Sequence, residues 1–86
     1  MPATMADTRD RIRNYLFGTL IPTPREAWPA DDADLFENGM DSLRLMQILV
    51  FIEQDVGVHL PDEEVTHERM STVRSIVEFV GRHRRN

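Results

Sequence analysis

Ser42 is the residue best placed for covalent chemistry, because in Gly39-Met40-Asp41-Ser42-Leu43 an acidic loop ends in a hydroxyl that opens a long apolar helix. A serine hydroxyl is a poor nucleophile until an adjacent base takes its proton, so a self-sufficient serine enzyme needs a histidine oriented by a third group. His59, His67 and His83 all lie far along the chain from Ser42. His83 falls in the basic run Arg82-His83-Arg84-Arg85, and His59 alternates with Val58 and Leu60 at a position expected to face solvent. The G-x-S-x-G elbow is also absent, since Gly39 precedes Ser42 by three residues and Arg44 stands where the second glycine belongs. The expectation is a chain that is not an enzyme, so that any base acting on Ser42 comes from a partner. A helix start is nonetheless a good place to carry a phosphate, because free backbone N–H groups and the positive end of the helix dipole favour an anion. Gly39 would allow the tight turn that presents the hydroxyl.

Other chemistries are excluded by residue type or spacing. There is no cysteine, hence no disulfide, thiolate metal site or thiol nucleophile, and a cytoplasmic protein is the expectation. All ten basic residues are arginines, so no lysine is present to form a Schiff base. Asp31, Asp32, Asp34 and Glu37 fail the EF-hand spacing: counted from Asp32, Phe36 falls at a ligand position and Glu37 where glycine is required. The three histidines share no helical face, and no metal site is expected. A net charge of −5 disfavours nucleic acid, whose phosphates need a basic stripe. The N-terminus shows neither a basic nor an apolar signal region, and no apolar run approaches the roughly 20 residues of a membrane span. Acids crowd Glu26 to Asp41 against Arg25 alone, which would steer basic partners toward Ser42.

The elements that must position Ser42 can be read from periodicity. At 86 residues one domain is expected, with its core over about 8–81 and tails at 1–7 and 82–86. Ile12, Leu16 and Leu20, with Tyr15 beside them, predict a first helix over Thr8–Leu20, capped by Asp7 or Thr8 and stopped by Pro22. Ile21 to Met40 has no sustained period and reads as a long loop, pinned by Trp28, Leu35 and Phe36. Ser42 to Gln54 predicts a second helix, capped by Asp41 and ended by Gly57. Its core stripe is Leu45, Ile48, Leu49 and Ile52. Leu43, Met46 and Val50 form a second apolar stripe that either packs under the loop or docks a partner; docking is favoured because the stripe begins beside Ser42. Val56, Val58 and Leu60 read as an extended link to a brief helix or turn at Pro61–Val65. Ser71-Thr72 opens a last helix, Val73 to Val80, with Val73, Ile76, Val77 and Val80 inward and Gly81 ending it.

The string Asp34-Leu35-Phe36-Glu37-Asn38-Gly39-Met40-Asp41-Ser42-Leu43 resembles the phosphopantetheine-binding carrier proteins, and the similarity extends from about Asp31 to Val80. That resemblance implies an all-α, acyl-carrier-like bundle of three main helices and one short helix, with a long loop after the first. It implies a 4′-phosphopantetheine arm on Ser42, installed from coenzyme A by a phosphopantetheinyl transferase with Mg²⁺, whose thiol holds cargo as a thioester. A monomeric, free-standing carrier loaded by an ATP-dependent ligase or acyltransferase and serving downstream biosynthetic enzymes is the expected setting. Met40, Asp41, Leu43, Arg44, Met46, Gln47 and Val50 are then the candidate docking residues; Met40 and Met46 flank Ser42 and can adapt to a partner surface. Carriers of primary fatty acid synthesis have an acidic helix after the modified serine, whereas here Arg44 and Gln47 stand in place of acids. A specialised pathway is therefore expected: polyketide, nonribosomal peptide or amino-acid-activating. The alternative is a helical interaction domain that uses the same stripe without ever being modified.

Overall fold

Three amphipathic helices turn their apolar stripes toward one another in the computed structural model, which describes residues 5–84. They are α1 (Met5–Tyr15), α2 (Ser42–Phe51) and α3 (Val73–His83), and no strand occurs among the described residues. Ile12, Leu16, Phe17, Leu35, Ile48, Ile52, Met70, Val73, Ile76, Phe79 and Val80 are fully buried at their meeting point. The arrangement is the expected all-α bundle, and the short fourth element is a single 3₁₀ turn at Asp62–Glu64 after Pro61. No helix among the described residues is long and apolar enough to cross a membrane.

α1 begins earlier than predicted. Thr8 lies inside it rather than at its cap, fully buried, with its hydroxyl accepting a hydrogen bond from the Arg84 guanidinium. A threonine facing inward toward the end of α3 cannot serve as the first-turn cap. The helix continues as one π turn, Leu16–Leu20, which buries Leu16, Phe17 and Leu20 together before Pro22 ends it. Arg11 donates to the Asp55 carbonyl at 2.8 Å, and Tyr15 stacks on Phe51 with centroids 4.1 Å apart, so α1 is joined to the far end of α2.

Asp41 caps α2 as expected: its carboxylate accepts the Arg44 N–H at 2.9 Å and its carbonyl the Leu45 N–H at 2.8 Å. A π turn at Ile52–Val56 follows, closed by Gly57 in the left-handed region (φ +82°). Ile48 and Ile52 are buried, while Leu45 and Leu49 pack at the edge of the core. Val58 and Leu60 turn inward along the link and His59 outward, where its Nδ1 meets Glu53 at 2.6 Å.

Thr72 caps α3 in a reciprocal box with Ser75. The helix passes through Gly81 and ends at His83, two residues beyond Gly81. Gly81 does not adopt a positive φ, so it supplies no left-handed stop, and His83 completes the last turn with Nε2 3.1 Å from Glu64. Phe79 joins the four predicted inward residues, its ring flanked by the Arg69 and Arg82 guanidinium groups.

The long loop is held to the start of α3 at two points. Leu35 N–H donates to the Ser71 carbonyl at 2.7 Å, and Arg74 N–H donates to the Asp31 carbonyl at 2.9 Å. The Asp31 carboxylate pairs with Arg9 and Arg13, and these partners, the Arg9 hydrogen bond foremost, hold it below the usual carboxylate range. Trp28 packs against Phe17 and donates Nε1–H to the Thr23 carbonyl; Phe36 stacks on His67. Trp28, Leu35 and Phe36 are thus the pins read from the sequence.

Candidate functional site

The ten residues from Asp34 to Leu43 form a turn in which nearly every side chain has a mechanical reason. Asp34 accepts the Phe36 N–H at 2.9 Å, and its carbonyl accepts the Asn38 side-chain amide at 2.7 Å, which winds a 3₁₀ turn over Phe36–Asn38. Leu35 plugs the core beneath that turn. Its carbonyl accepts the N–H groups of both Asn38 and Met40. Gly39 then takes φ +107°, and a Cβ there would lie 3.0 Å from Ile21 Cγ2, so the backbone passes tight against the residue that follows the first helix.

Gly39→Ala is expected to cost about 1–2 kcal/mol from the left-handed backbone alone, with the Ile21 contact adding to it. Denaturant melts of the two proteins check this, and equal midpoints would show that the turn can relax without cost.

The left-handed turn swings the next residue inward. Met40 is only 5% exposed and belongs to the core, which corrects its assignment as a docking residue. Ser42 follows the Asp41 cap as the first residue of α2, exposed, its hydroxyl making no hydrogen bond to other described residues. The Arg44 N–H is the chief cause, with the Arg44 charge adding, that keeps the Asp41 carboxyl below its ordinary range and hence ionised. Leu43, Met46 and Val50 are 67%, 64% and 52% exposed, an uncovered apolar strip running down α2 from Ser42. Gln47 is exposed beside it. Arg44 is partly buried, because its guanidinium reaches back across the chain to the Leu20 carbonyl.

Two features escaped the sequence reading. The Arg44 to Leu20 contact spans 24 residues and has no local signal, although an arginine three residues after Asp41 marks an ion pair on a helix. A groove of about 400 Å³ also opens beside the strip, walled by Met46, Leu49, Val50 and Leu60 and rimmed by Glu53, His59 and Asp62.

None of the histidines hydrogen-bonds Ser42: His59 meets Glu53, His67 stacks on Phe36, and His83 meets Glu64. No cluster of metal-ligating side chains occurs among the described residues. The site offers an accessible hydroxyl at the head of a helix, an ionised neighbour and an apolar strip. It suits the attachment of a group by another protein.

Comparison with known proteins bears on the same segment. Residues 16–80 match the family model described as phosphopantetheine attachment site. The chain is 28% identical over 81 residues to an acyl carrier protein of Zymomonas mobilis subsp. mobilis, covering 93% of this chain and 99% of that one. It is 32% identical over 71 residues to an aminoacyl carrier protein of Agrobacterium fabrum, covering 80% and 83% respectively. An acyl carrier protein of Rickettsia bellii is 37% identical over 46 residues, or 54% of each chain.

Proposed function

We propose, since this chain belongs to the phosphopantetheine attachment-site family, that Ser42 bears the arm and that the cargo is an acyl or aminoacyl group of a specialised biosynthetic pathway. As a member of that family the chain is a carrier and not an enzyme, and its prosthetic group is covalent 4′-phosphopantetheine. Such carriers interact with a phosphopantetheinyl transferase and with biosynthetic enzymes. The finer setting is our reading: one domain over residues 1–86, monomeric and cytoplasmic, loaded by a ligase or acyltransferase. The aminoacyl carrier among its relatives supports including aminoacyl cargo.

The observation that carries the assignment of Ser42 is its exposure as the first residue of α2, inside the family match, with its hydroxyl making no hydrogen bond among the described residues. A group attached there leaves the protein without displacing any buried atom, so the residues present fit the arm. In the transfer, Ser42 Oγ forms a bond to phosphorus and the pyrophosphate P–O bond of coenzyme A breaks. Adenosine 3′,5′-bisphosphate leaves, and the Ser42 proton passes to a base on the transferase. Once bound, the arm supplies a terminal thiol that carries cargo as a thioester. This chain's residues fix the turn, keep Ser42 in solvent and offer Leu43, Met46, Gln47 and Val50 as a docking surface.

The specialised setting rests on α2, whose only charged side chain is Arg44. An enzyme that docks carriers through a basic patch finds no carboxylate between Asp41 and Glu53, and the mismatch slows encounter most at low salt. The armed protein is expected to be a poor substrate for a standard malonyl transferase. Malonyl loading as fast as that of an acidic-helix carrier at low salt would overturn the specialised setting.

A further inference from the structure

Arg44 stands two residues after Ser42 and is partly buried, its guanidinium bonded back onto the protein. Its Nε donates to the Leu20 carbonyl at 2.9 Å and its Nη1 to Asp41 Oδ2 at 2.6 Å, while its backbone N–H donates to Asp41 Oδ1. Resting on the reading of Ser42 as the attachment point, we propose that Arg44 is a positioning residue for arm transfer. It locks the turn that presents Ser42 onto the end of the first helix, and it offsets the Asp41 charge next to the oxygen that becomes a phosphodiester.

Three observations converge. Leu20 ends the π turn, where helix carbonyls lack following N–H partners, and a planar guanidinium can serve that carbonyl and a carboxylate at once. A lysine ammonium, a compact point charge, does not reproduce this fork. The same seam is tightened independently at Gly39, whose backbone passes against Ile21. Residues 39–44 therefore rest on residues 20–21 through two separate contacts. The third observation is electrostatic: Asp41 is ionised and adjacent to Ser42, so a phosphate arriving at Ser42 meets a negative neighbour, and the guanidinium paired with that carboxylate reduces the repulsion.

This role differs from that of a surface charge selecting partners, and the two separate in one experiment. Arg44→Lys and Arg44→Gln are made in the full chain, and two quantities are read. One is amide hydrogen exchange of the unmodified protein; the other is steady-state arm transfer by a phosphopantetheinyl transferase at low and high salt. In both variants exchange at residues 39–44 is expected to rise about tenfold while α3 keeps its protection. kcat is expected to fall about tenfold in Arg44→Lys with little change in KM, equally at both salts, and to fall further in Arg44→Gln at low salt, where the Asp41 charge is left unpaired. Wild-type behaviour of Arg44→Lys in both readouts would overturn the proposal, as would a loss confined to KM that vanishes at high salt. An equal rise in exchange throughout α3 would also overturn it, since Arg44 would then hold the whole fold. If the unmutated chain accepts no arm, the attachment reading fails by itself, and the exchange data still decide whether Arg44 clamps the turn.

Discussion

Ser42→Ala is expected to accept no phosphopantetheine from coenzyme A in the presence of Mg²⁺ and a broad-specificity transferase, while the unmutated chain accepts one. The loss should be complete, because it removes the oxygen that forms the new bond. It should not come from unfolding. The cap of α2 is Asp41, whose carboxylate takes up the Arg44 N–H, and Ser42 is an exposed first-turn residue with no hydrogen bond to lose among the described residues. Alanine is also the best helix former, so the stability change should stay within about 0.5 kcal/mol. Circular dichroism and a urea melt of the variant provide the control. An arm on Ser42→Ala would place attachment elsewhere.

Ile48→Ala is expected to cost about 2–5 kcal/mol, whereas Met46→Gln, two residues away on the same helix, should change stability by no more than about 0.5 kcal/mol. Ile48 is fully buried in the hydrophobic core, and truncation leaves a cavity that the close-packed core fills only in part. Met46 is 64% exposed, so its removal opens nothing. The same Met46→Gln change should slow partner enzymes if the strip is where they dock. Equal destabilisation by the two variants would make the strip part of the core and move the docking surface elsewhere.

Much of this molecule was legible because local rules and tertiary packing agree along most of it. Asp41, Thr72 and Gly57 carry helix-end chemistry that acts within one turn, so their roles follow from neighbours in sequence. The exposed strip was legible for a different reason: α2 carries two apolar stripes, and only one of them can face the core of so small a domain. The turn around Ser42 is legible as a string, though not in its mechanics. The structure explains its letters, with Asp34 winding the 3₁₀ turn, Leu35 and Met40 anchoring it, and Gly39 passing against Ile21.

What the sequence did not disclose depends on direction in space. Met40 looks like a flanking surface residue until the left-handed Gly39 turns it inward. Thr8 has the composition of a cap, but its hydroxyl meets Arg84, 76 residues away. Gly81 resembles a stop signal, yet a helical glycine ends a helix only when it adopts the left-handed conformation, and this one does not. Arg44 reads as an exposed charge from spacing alone; its contact with the Leu20 carbonyl becomes visible only once α1 and α2 are packed together.

The central claim, that this chain carries its cargo as a thioester on an arm at Ser42, is tested most directly by mass spectrometry of the protein purified from its own host. The account predicts a population heavier than the bare chain by one phosphopantetheine plus an acyl or aminoacyl group. Hydroxylamine should release the cargo and leave the arm, and fragmentation should localise the arm to the peptide containing Ser42. A chain found only at its unmodified mass, and refractory to a transferase in vitro, would contradict the claim and leave an interaction domain that uses the Leu43, Met46 and Val50 strip unmodified. An arm localised to Ser71 or Ser75 would contradict it equally.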